Sequence, residues 1–379
     1  MSVRKRSWKT RQGETKEAWI VVYSHNGKRH IETFGRKKDA DARQAQVRVN
    51  IKSGVHVAPS ETPTVQEAVE QWLKAGELHQ LERSTLVSYR EQVVLHIPFI
   101  GSVKLADLNA PQVRWFQDAL HAAGRSGSTI RRVVRSLGSI LTDTQERGQV
   151  GHNAVRELSR NRNRQTERRH KGKLKIGVDI PTPAEVASII AGAKGRWRPL
   201  LVTAAFTGLR ASELRGLRWC DVELDAGRLH VLQRADRFAK IGRPKSASSE
   251  RMVPFGKIVA NTLGEWRLAC PKGEMDLVFP NGVGKVESLP NIVHRGLMPA
   301  QGGKARAKYT GMYCLRHFYA SWCINAEADG GLGLPPKVVQ ERLGHSTIGM
   351  TMDTYGHLFP AGDDGEKLDA AELRLLKLA

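Results

Sequence analysis

The chain has 379 residues, which is long for one hydrophobic core and indicates two or three domains. It carries 60 Lys and Arg against 38 Asp and Glu, a net charge of +22, and such an excess is most easily explained by a polyanionic partner such as nucleic acid. Because no apolar run reaches the ~18 residues of a membrane span and the first residues lack the apolar core of a signal peptide, we expect a cytoplasmic protein without a membrane partner.

Residues 1–58 predict a small β-rich unit. The segment AWIVVYS is typical of a strand, Asn26-Gly27 is typical of a hairpin turn, and HIETFG is typical of the returning strand. A helix is predicted over the following segment KKDADARQAQVRVNIKSG, which ends at Gly54. Residues 1–38 contain eleven Lys and Arg but only three Glu. A three-stranded sheet of this size barely buries a core, so we expect its basic face to meet phosphates.

Residues 64–158 predict a helical domain. Thr64 and Glu67 form a T-x-x-E capping box ahead of an apolar helical pattern. Three later helices are predicted to start at Ser84, Pro111 and Ser128.

The helix predicted after Ser128 has one apolar face and one basic flank. Three arginines lie off the apolar stripe, where they would either contact a DNA backbone or belong to an ordinary solvated face. These candidate DNA contacts are Arg131, Arg132 and Arg135.

Residues 159–179 predict a basic interdomain linker. The stretch from 159 to 175 has eight Lys and Arg against one Glu and almost no apolar residues, so it cannot pack as a core element. Its charge suits a segment lying along nucleic acid, and the candidate contacts are Arg168, Arg169 and Lys171. Thr182, Pro183 and Glu185 then give the N-cap, first turn and capping-box partner of a helix that begins a third domain, residues 180–360.

Four pieces of this third domain carry chemistry. Arg210 follows the helix-breaking Gly208 in TGLRASEL, with Ser212 as the expected cap of the next helix, so a turn presents its guanidinium. Lys245 lies in a polar loop between RLHVLQR and ERMVPF, which predict a β-hairpin. In YCLRH, Arg316 is predicted to lie on the edge of a helix. The stretch LGHSTIGMTMDTY contains His345 and Tyr355, and because the residues around Tyr355 are small and polar, we expect this tyrosine to lie outside the apolar core.

These pieces, in this order, resemble the catalytic domain of tyrosine recombinases of the phage-integrase type. The boxes of that family are T-G-L-R-x-S-E-L, a lysine on a β-hairpin, H-x-L-R-H, and L-G-H-S followed by a nucleophilic tyrosine. The resemblance implies a multidomain, mainly α protein with small β-sheets, in which an α+β catalytic domain follows a helical core-DNA-binding domain and a three-stranded arm-type domain. It also implies a site-specific recombinase that cuts and rejoins DNA through a 3′-phosphotyrosyl intermediate, without metal, ATP or another cofactor.

The residue roles come from the same resemblance and agree with the chemistry. Arg210 and Arg316 would clamp the non-bridging phosphate oxygens, since guanidinium groups keep their charge and offer forked donors. Tyr355 would be the nucleophile, its ionisation helped by the nearby cations. His345 would be a further donor to the phosphate, and Lys245 the general acid toward the 5′-oxygen.

Tyr313 stands where the family usually has histidine. A tyrosine donates a hydrogen bond but is a poor base at neutral pH, so the base that accepts the proton of Tyr355 is left open. His317 directly follows Arg316, and its place in the family pattern indicates a structural role. Glu213 is expected to orient Arg210.

Residues 361–379 predict an amphipathic tail that packs on its own domain or, as in the family, on a neighbouring subunit. The expected partners are double-stranded DNA with core and arm-type sites, three further copies of the chain in a DNA-bound tetramer, and DNA-bending or directionality proteins.

Two alternatives are left open, a type IB topoisomerase and a DNA-binding regulator on the same fold. A type IB topoisomerase shares the chemistry without exchanging strands, and the basic N-terminal unit argues against it. A catalytically silent DNA-binding regulator would not require all the catalytic residue types together. Four cysteines without a C-x-x-C pair or a histidine at ligand spacing predict buried free thiols and no zinc site: Cys220, Cys270, Cys314 and Cys323.

Overall fold

The computed structural model describes residues 1–25, 27–52, 57–58, 62–160, 173–244, 246–359, 365 and 372–376. The chain divides into two compact units, Met1–Thr166 and Glu167–Ala379. Helices dominate and the sheets are small, which confirms the predicted fold class. Among the described residues, no helix combines the length and apolar character that crossing a bilayer requires.

The first unit begins with a three-stranded antiparallel sheet in the order β1-β2-β3. One face of the sheet packs against a helix through a small core of Val21, Tyr23, Ala40 and Val47. The elements are β1 (Ser2–Lys9), β2 (Thr15–His25), β3 (Lys28–Phe34) and the helix α1 (Lys37–Lys52).

The face of this sheet that points away from α1, called its open face below, is basic. Side chains alternate along a strand, and Val21 and Tyr23 face α1, so their neighbours Ile20 and Val22 point away from it. In the observed register Arg4 pairs with Ile20, which places Arg4 on the open face. By the same alternation and register, the open face also carries Arg6, Lys16 and Arg29.

The rest of the first unit is a helical bundle around Phe116 and Leu137, both fully buried. Its helices are α2 (Val65–Leu78), α3 (Arg83–His96), α4 (Ala110–Ala122), α5 (Gly127–Glu146) and α6 (Ala154–Arg160). The apolar stripe predicted for α5 is buried as expected: Ile130, Val133, Val134, Leu137, Ile140 and Leu141.

The predicted capping box of Thr64 and Glu67 is present, but two other predicted caps in this bundle are wrong. Ser84 instead lies inside the first turn of α3, because Glu82 is the capping position and Ser84 Oγ bonds its carboxylate at 3.3 Å. Ser128 likewise lies inside α5, because Ser126 accepts the backbone N–H of Thr129 at 3.3 Å.

The second unit starts with the predicted capping box at Thr182 and Glu185. Its helices are α7 (Pro183–Gly192), α8 (Trp197–Thr207), α9 (Ala211–Gly216), α10 (Lys257–Ala269), α11 (Tyr313–Ile324), α12 (Pro336–Leu343) and α13 (Ile348–Tyr355). Between α10 and α11 run three consecutive helical pieces, Leu289–Asn291, the π-helix Ile292–Leu297 and Met298–Ala300.

Two small sheets lie between α9 and α10. Their strands are β4 (Val222–Glu223), β5 (Arg228–Val231), β6 (Arg234–Ala235), β7 (Ile241–Gly242) and β8 (Arg251–Pro254). Strands β5 and β8 pair antiparallel, which confirms the predicted hairpin, and β6 and β7 form a further pair inside the connection.

The cysteine prediction holds in part. All four are free thiols, and Cys314 and Cys323 are buried, but Cys270 is half-buried and Cys220 is exposed. Cys220 points outward because its neighbours in a 3-10 turn, Trp219 and Asp221, are the ones turned inward. Within the described part of the chain, no cluster of three or more His, Cys, Asp or Glu is placed to hold a metal ion.

Candidate active site

Arg210 is positioned by the turn between α8 and α9. Helix α8 ends at Thr207 and is capped by Gly208, which is left-handed with φ of +61°, and a Cβ on Gly208 would lie 2.3 Å from Cδ1 of Tyr319. Arg210, rather than the predicted Ser212, is then the residue that precedes α9. The sequence T-G-L-R therefore serves a backbone requirement, since only glycine fits the turn that leads into Arg210.

The Arg210 guanidinium is partly open, with 24% of its side chain exposed. It donates to the Glu213 carboxylate at 2.7 Å and to the backbone oxygen of Gly344 at 3.1 Å. The Glu213 carboxylate also accepts the backbone N–H of Arg210 at 2.8 Å. Glu213 thus orients Arg210, as the sequence predicts.

Arg316 is buried with 3% exposure, so its expected place on the edge of α11 is wrong. Its guanidinium donates to the backbone oxygens of Gly208 at 2.7 Å and Leu343 at 2.6 Å, which draws it between two other segments of the site. Burial, and next the charge of Arg210, lower the pKa of Arg316 to about 10, so it stays charged at neutral pH. Arg316 therefore links the turn before Arg210 to the loop before His345.

Arg251, on β8, is a site residue that the sequence reading missed. It donates to both carboxylate oxygens of Glu213, at 2.9 and 3.2 Å, and to the backbone oxygen of Arg342 at 2.8 Å. Burial alone would raise the pKa of Glu213, but Arg251 and then Arg210 outweigh it and hold that pKa below its usual range. The available signal was strand alternation, since Arg251 shares the inward face of β8 with the buried Val253.

His345 follows Gly344, the left-handed cap of α12 with φ of +63°. The side-chain amide of Gln340 donates to the backbone oxygen of His345 at 2.9 Å, and Nδ1 of His345 lies 2.9 Å from Oγ1 of Thr351. Burial and then the charges of Arg316 and Arg210 lower the pKa of His345 to about 4. Its imidazole is therefore neutral in the free protein.

Tyr355 ends α13 and is buried with 2% exposure, so the prediction that it lies outside the apolar core is wrong. It packs in a cluster with Tyr319, Val339 and Leu343. The prediction was wrong because apolar and polar residues are exchanged between the two sides of α13. The apolar Ile348, Met350 and Met352 are exposed, whereas the polar Thr351, one turn before Tyr355, is buried on the same side as Tyr355.

The Tyr355 hydroxyl is engaged by a residue that the sequence reading treated as structural. Its oxygen lies 2.7 Å from Nδ1 of His317, and the ring of His345 is nearly parallel to that of Tyr355 with centroids 6.4 Å apart. Burial raises the pKa of Tyr355 to about 12, although the charge of Arg316 acts in the opposite direction. The cations therefore do not ionise this phenol in the free protein.

The remaining candidates are Tyr313, three arginines of the first unit and four residues that fall outside the described part of the chain. Tyr313 begins α11 with 57% exposure, and it lines a cleft of about 310 Å³ together with Arg210 and Glu213. Arg131, Arg132 and Arg135 are exposed on α5 of the first unit. Lys245, Arg168, Arg169 and Lys171 fall outside the described residues.

Comparison with known proteins gives consistent matches. Residues 182–361 match the Phage integrase family. The chain is 30% identical over 279 residues to tyrosine recombinase XerC of Xylella fastidiosa (strain M23), covering 72% of this chain and 86% of that protein. It is 23% identical over 359 residues to the tyrosine recombinase XerC-like protein of Caldanaerobacter subterraneus subsp. tengcongensis, covering 87% and 88%.

Two solved structures share the fold. The Tn1549 transposon integrase in complex with a circular intermediate DNA superposes with a TM-score of 0.65 at 19% identity, over 82% of this chain and 99% of that one. A lambda integrase dimer bound to a COC′ core site gives a TM-score of 0.56 at 16% identity, over 95% of each chain.

Proposed function

This chain belongs to the phage integrase family of tyrosine recombinases, and from that premise we propose that it breaks and rejoins DNA through Tyr355. The observation that carries the assignment is the convergence of Arg210, Arg316, His345 and Tyr355 from separate segments of the second unit. A protein that only bound DNA would have no need for a tyrosine hydroxyl beside two oriented guanidinium groups.

In the proposed reaction, the Tyr355 oxygen attacks the scissile phosphorus and the bond from phosphorus to the 5′-oxygen breaks. The product is a 3′-phosphotyrosyl bond and a free 5′-hydroxyl. Attack by a 5′-hydroxyl of the same or another strand reverses the step and releases Tyr355. Because the covalent bond conserves the energy of the phosphodiester, rejoining needs no ATP.

The two arginines are suited to hold the phosphate. A guanidinium has five N–H donors, and Arg316 uses two donor nitrogens on backbone oxygens while Arg210 uses two on Glu213 and Gly344. The N–H groups left over keep a fixed direction, which is the arrangement that stabilises negative charge developing on non-bridging oxygens.

His345 and Lys245 complete the proposal. We assign the Thr351 hydroxyl as the donor to Nδ1 of His345, 2.9 Å away, so that the neutral ring would carry its proton on Nε2 and donate a hydrogen bond from there to a phosphate oxygen. The family resemblance assigns Lys245 as the general acid that protonates the leaving 5′-oxygen. Tyr313, at the rim of the cleft, would donate a hydrogen bond to the phosphate.

DNA contacts are assigned to both units. We assign residues 1–58 to arm-type sites, because the open face of their sheet is basic, and residues 64–158 to core sites, through Arg131, Arg132 and Arg135 on α5. Residues 159–179, with Arg168, Arg169 and Lys171, are assigned as a linker along DNA, residues 180–360 as the catalytic domain and residues 361–379 as a tail that contacts a neighbouring subunit. We further propose a tetramer on DNA in a bacterial cytoplasm, assisted by DNA-bending or directionality proteins.

The test is the covalent adduct. A duplex selected by this protein from a random-sequence pool would be nicked near the cleavage point and incubated with wild type, Tyr355→Phe and Tyr313→Phe. We expect an adduct that survives denaturation with wild type and with the matched control Tyr313→Phe, and none with Tyr355→Phe. An adduct in Tyr355→Phe would overturn the assignment of the nucleophile.

Strand exchange separates the recombinase from the two alternatives. On a plasmid with two copies of the selected site, a recombinase excises or inverts the intervening DNA, whereas a type IB topoisomerase only removes supercoils. A silent regulator would bind the site without forming any adduct. The basic N-terminal sheet favours recombination, because a second DNA-binding module suits an enzyme that joins distant sites.

A further inference from the structure

The nucleophilic hydroxyl has one hydrogen-bond partner among the described residues, and it is His317. Nδ1 of His317 lies 2.7 Å from the Tyr355 oxygen, and the two rings meet edge to face with centroids 5.7 Å apart. Tyr313, which stands at the position where the family usually has histidine, makes no hydrogen bond to Tyr355 in the described structure. Its ring lies 5.9 Å from that of His317 and is mostly exposed.

The proton of Tyr355 has to leave during the attack. The Tyr355 side chain is buried and packs in an apolar cluster, so the charged phenolate is poorly solvated and the pKa of the phenol is accordingly raised. A preformed phenolate is therefore rare at neutral pH, and a nearby base has to accept the proton as the bond to phosphorus forms.

We propose that His317 is this base, a catalytic residue that takes the role left vacant by Tyr313; the inference rests on the proposed function. In the cleavage step the Tyr355 oxygen bonds to phosphorus, its proton passes to Nδ1 of His317, and the bond from phosphorus to the 5′-oxygen breaks as that oxygen is protonated by the general acid. In the rejoining step, the imidazolium of His317 returns the proton to Tyr355 as it leaves.

His317 is better placed for this role than its neighbours. His345 stacks against the Tyr355 ring, with 6° between the planes, and its Nδ1 is already beside Thr351, so it does not face the hydroxyl. A phenol such as Tyr313 is a poor base at neutral pH. Burial and then Arg316 lower the pKa of His317, so the ring is neutral and free to accept a proton.

The electrostatic surroundings of the pair come from four segments. Arg316 disfavours a charged His317, and Asp179, which precedes α7, favours it. Arg316 and, more weakly, Arg210 favour the phenolate of Tyr355, while Tyr313 disfavours it. A bound phosphodiester adds negative charge beside the two arginines and so removes part of the penalty on the imidazolium. The titratable and charged groups facing the pair are Asp179, Arg210, Tyr313, Arg316 and His345.

The test measures single-turnover adduct formation on the nicked selected duplex for wild type, His317→Asn and His317→Ala. Asparagine keeps a hydrogen-bond partner for the Tyr355 hydroxyl but cannot take its proton, so it separates catalysis from positioning. We expect both variants to lose roughly 10²–10⁴-fold in rate, the range of general-base catalysis. We also expect their rates to rise about tenfold per pH unit with the phenolate fraction, while the wild-type rate is flat above the pKa of His317.

The matched control is His294→Asn, the same change at an exposed histidine of the second unit, which should keep the wild-type rate and pH profile. A wild-type rate and profile in His317→Asn would overturn the inference, and so would a loss confined to Tyr313→Phe. If wild type itself formed no adduct at Tyr355, the proposed function would fail instead.

A second measurement leaves His317 in place, in case its variants misfold. Fluorotyrosine installed at position 355 lowers the phenol pKa, and with a general base the rate at neutral pH should change little. A rate that increases in full proportion to the phenolate fraction would show that no base takes part.

Discussion

Replacing Arg251 by methionine should destabilise the second unit far more than replacing a surface arginine. The variant removes four hydrogen bonds, two to Glu213 and one each to the backbone oxygens of Arg342 and Ser249. It also leaves the Glu213 carboxylate, only 3% exposed, with Arg210 as its remaining charged hydrogen-bond partner. Breaking a buried ion pair on one side costs about 3–5 kcal/mol.

The expected change is measurable by thermal or urea unfolding. A loss of that size lowers the melting temperature by roughly 6–20 °C, given about 2–4 °C per kcal/mol for a domain of this length. The matched control is Arg228→Met, which breaks the half-exposed pair with Glu223 in the same unit and should lower the melting temperature far less than Arg251→Met does, because water screens the exposed pair.

Two measurements distinguish the loss of the Arg251–Glu213 ion pair from the loss of packing in Arg251→Met: the pH dependence of unfolding and a second substitution. The wild-type pKa of Glu213 is depressed, so its ionised form stabilises the fold above the ordinary carboxyl pKa, and this contribution is lost as the pH falls through the folded-state pKa. In Arg251→Met that contribution is reduced at neutral pH, so the difference from wild type should shrink below about pH 4.5. Adding Glu213→Gln should recover much of the loss, and a double variant no more stable than Arg251→Met would refute the reasoning.

Three further outcomes follow from the site and the domains. Gly208→Ala forces a left-handed alanine against Tyr319 and should cost about 2 kcal/mol or more in unfolding, with cleavage reduced in step. Lys245→Ala should lose cleavage of ordinary DNA but regain it with a sulfur at the 5′-bridging position, which needs no acid; no rescue would remove Lys245 as the general acid. Deleting residues 1–58 should abolish integration while cleavage of a core site continues, and loss of both in a folded protein would contradict the domain assignment.

The sequence predicts those parts of the site that depend on local backbone chemistry. The turn at Gly208 and the capping box at Thr182 are predictable because each is set by residues close together in the chain. The pairing of β5 with β8 is predictable because two strand-like segments flank a polar loop. The family was predicted from the resemblance, because the four sequence motifs occur in the same order as in tyrosine recombinases.

The sequence does not predict contacts made across the fold. Arg251 and Glu213 are 38 residues apart, and His317 and Tyr355 are also 38 apart, so no local pattern connects either pair. The burial of Tyr355 was missed for a related reason: the residues beside it in sequence are not those that surround it in space. Side-chain partnerships of this kind become visible only when the helices are packed.

The charges of the site indicate why DNA should complete it. Three arginines, Arg210, Arg251 and Arg316, surround the single carboxylate of Glu213, so the cluster has two positive charges in excess. Burial is the largest cause of the lowered pKa of Arg316, and the charges of Arg210 and Arg251 lower that pKa further, as mutual repulsion requires. A scissile phosphodiester and a phosphotyrosyl diester each bring one negative charge to this position, and the transition state between them brings more. The cluster is therefore most favourable when the phosphate carries its greatest charge, which is the condition for accelerating the reaction rather than merely binding DNA.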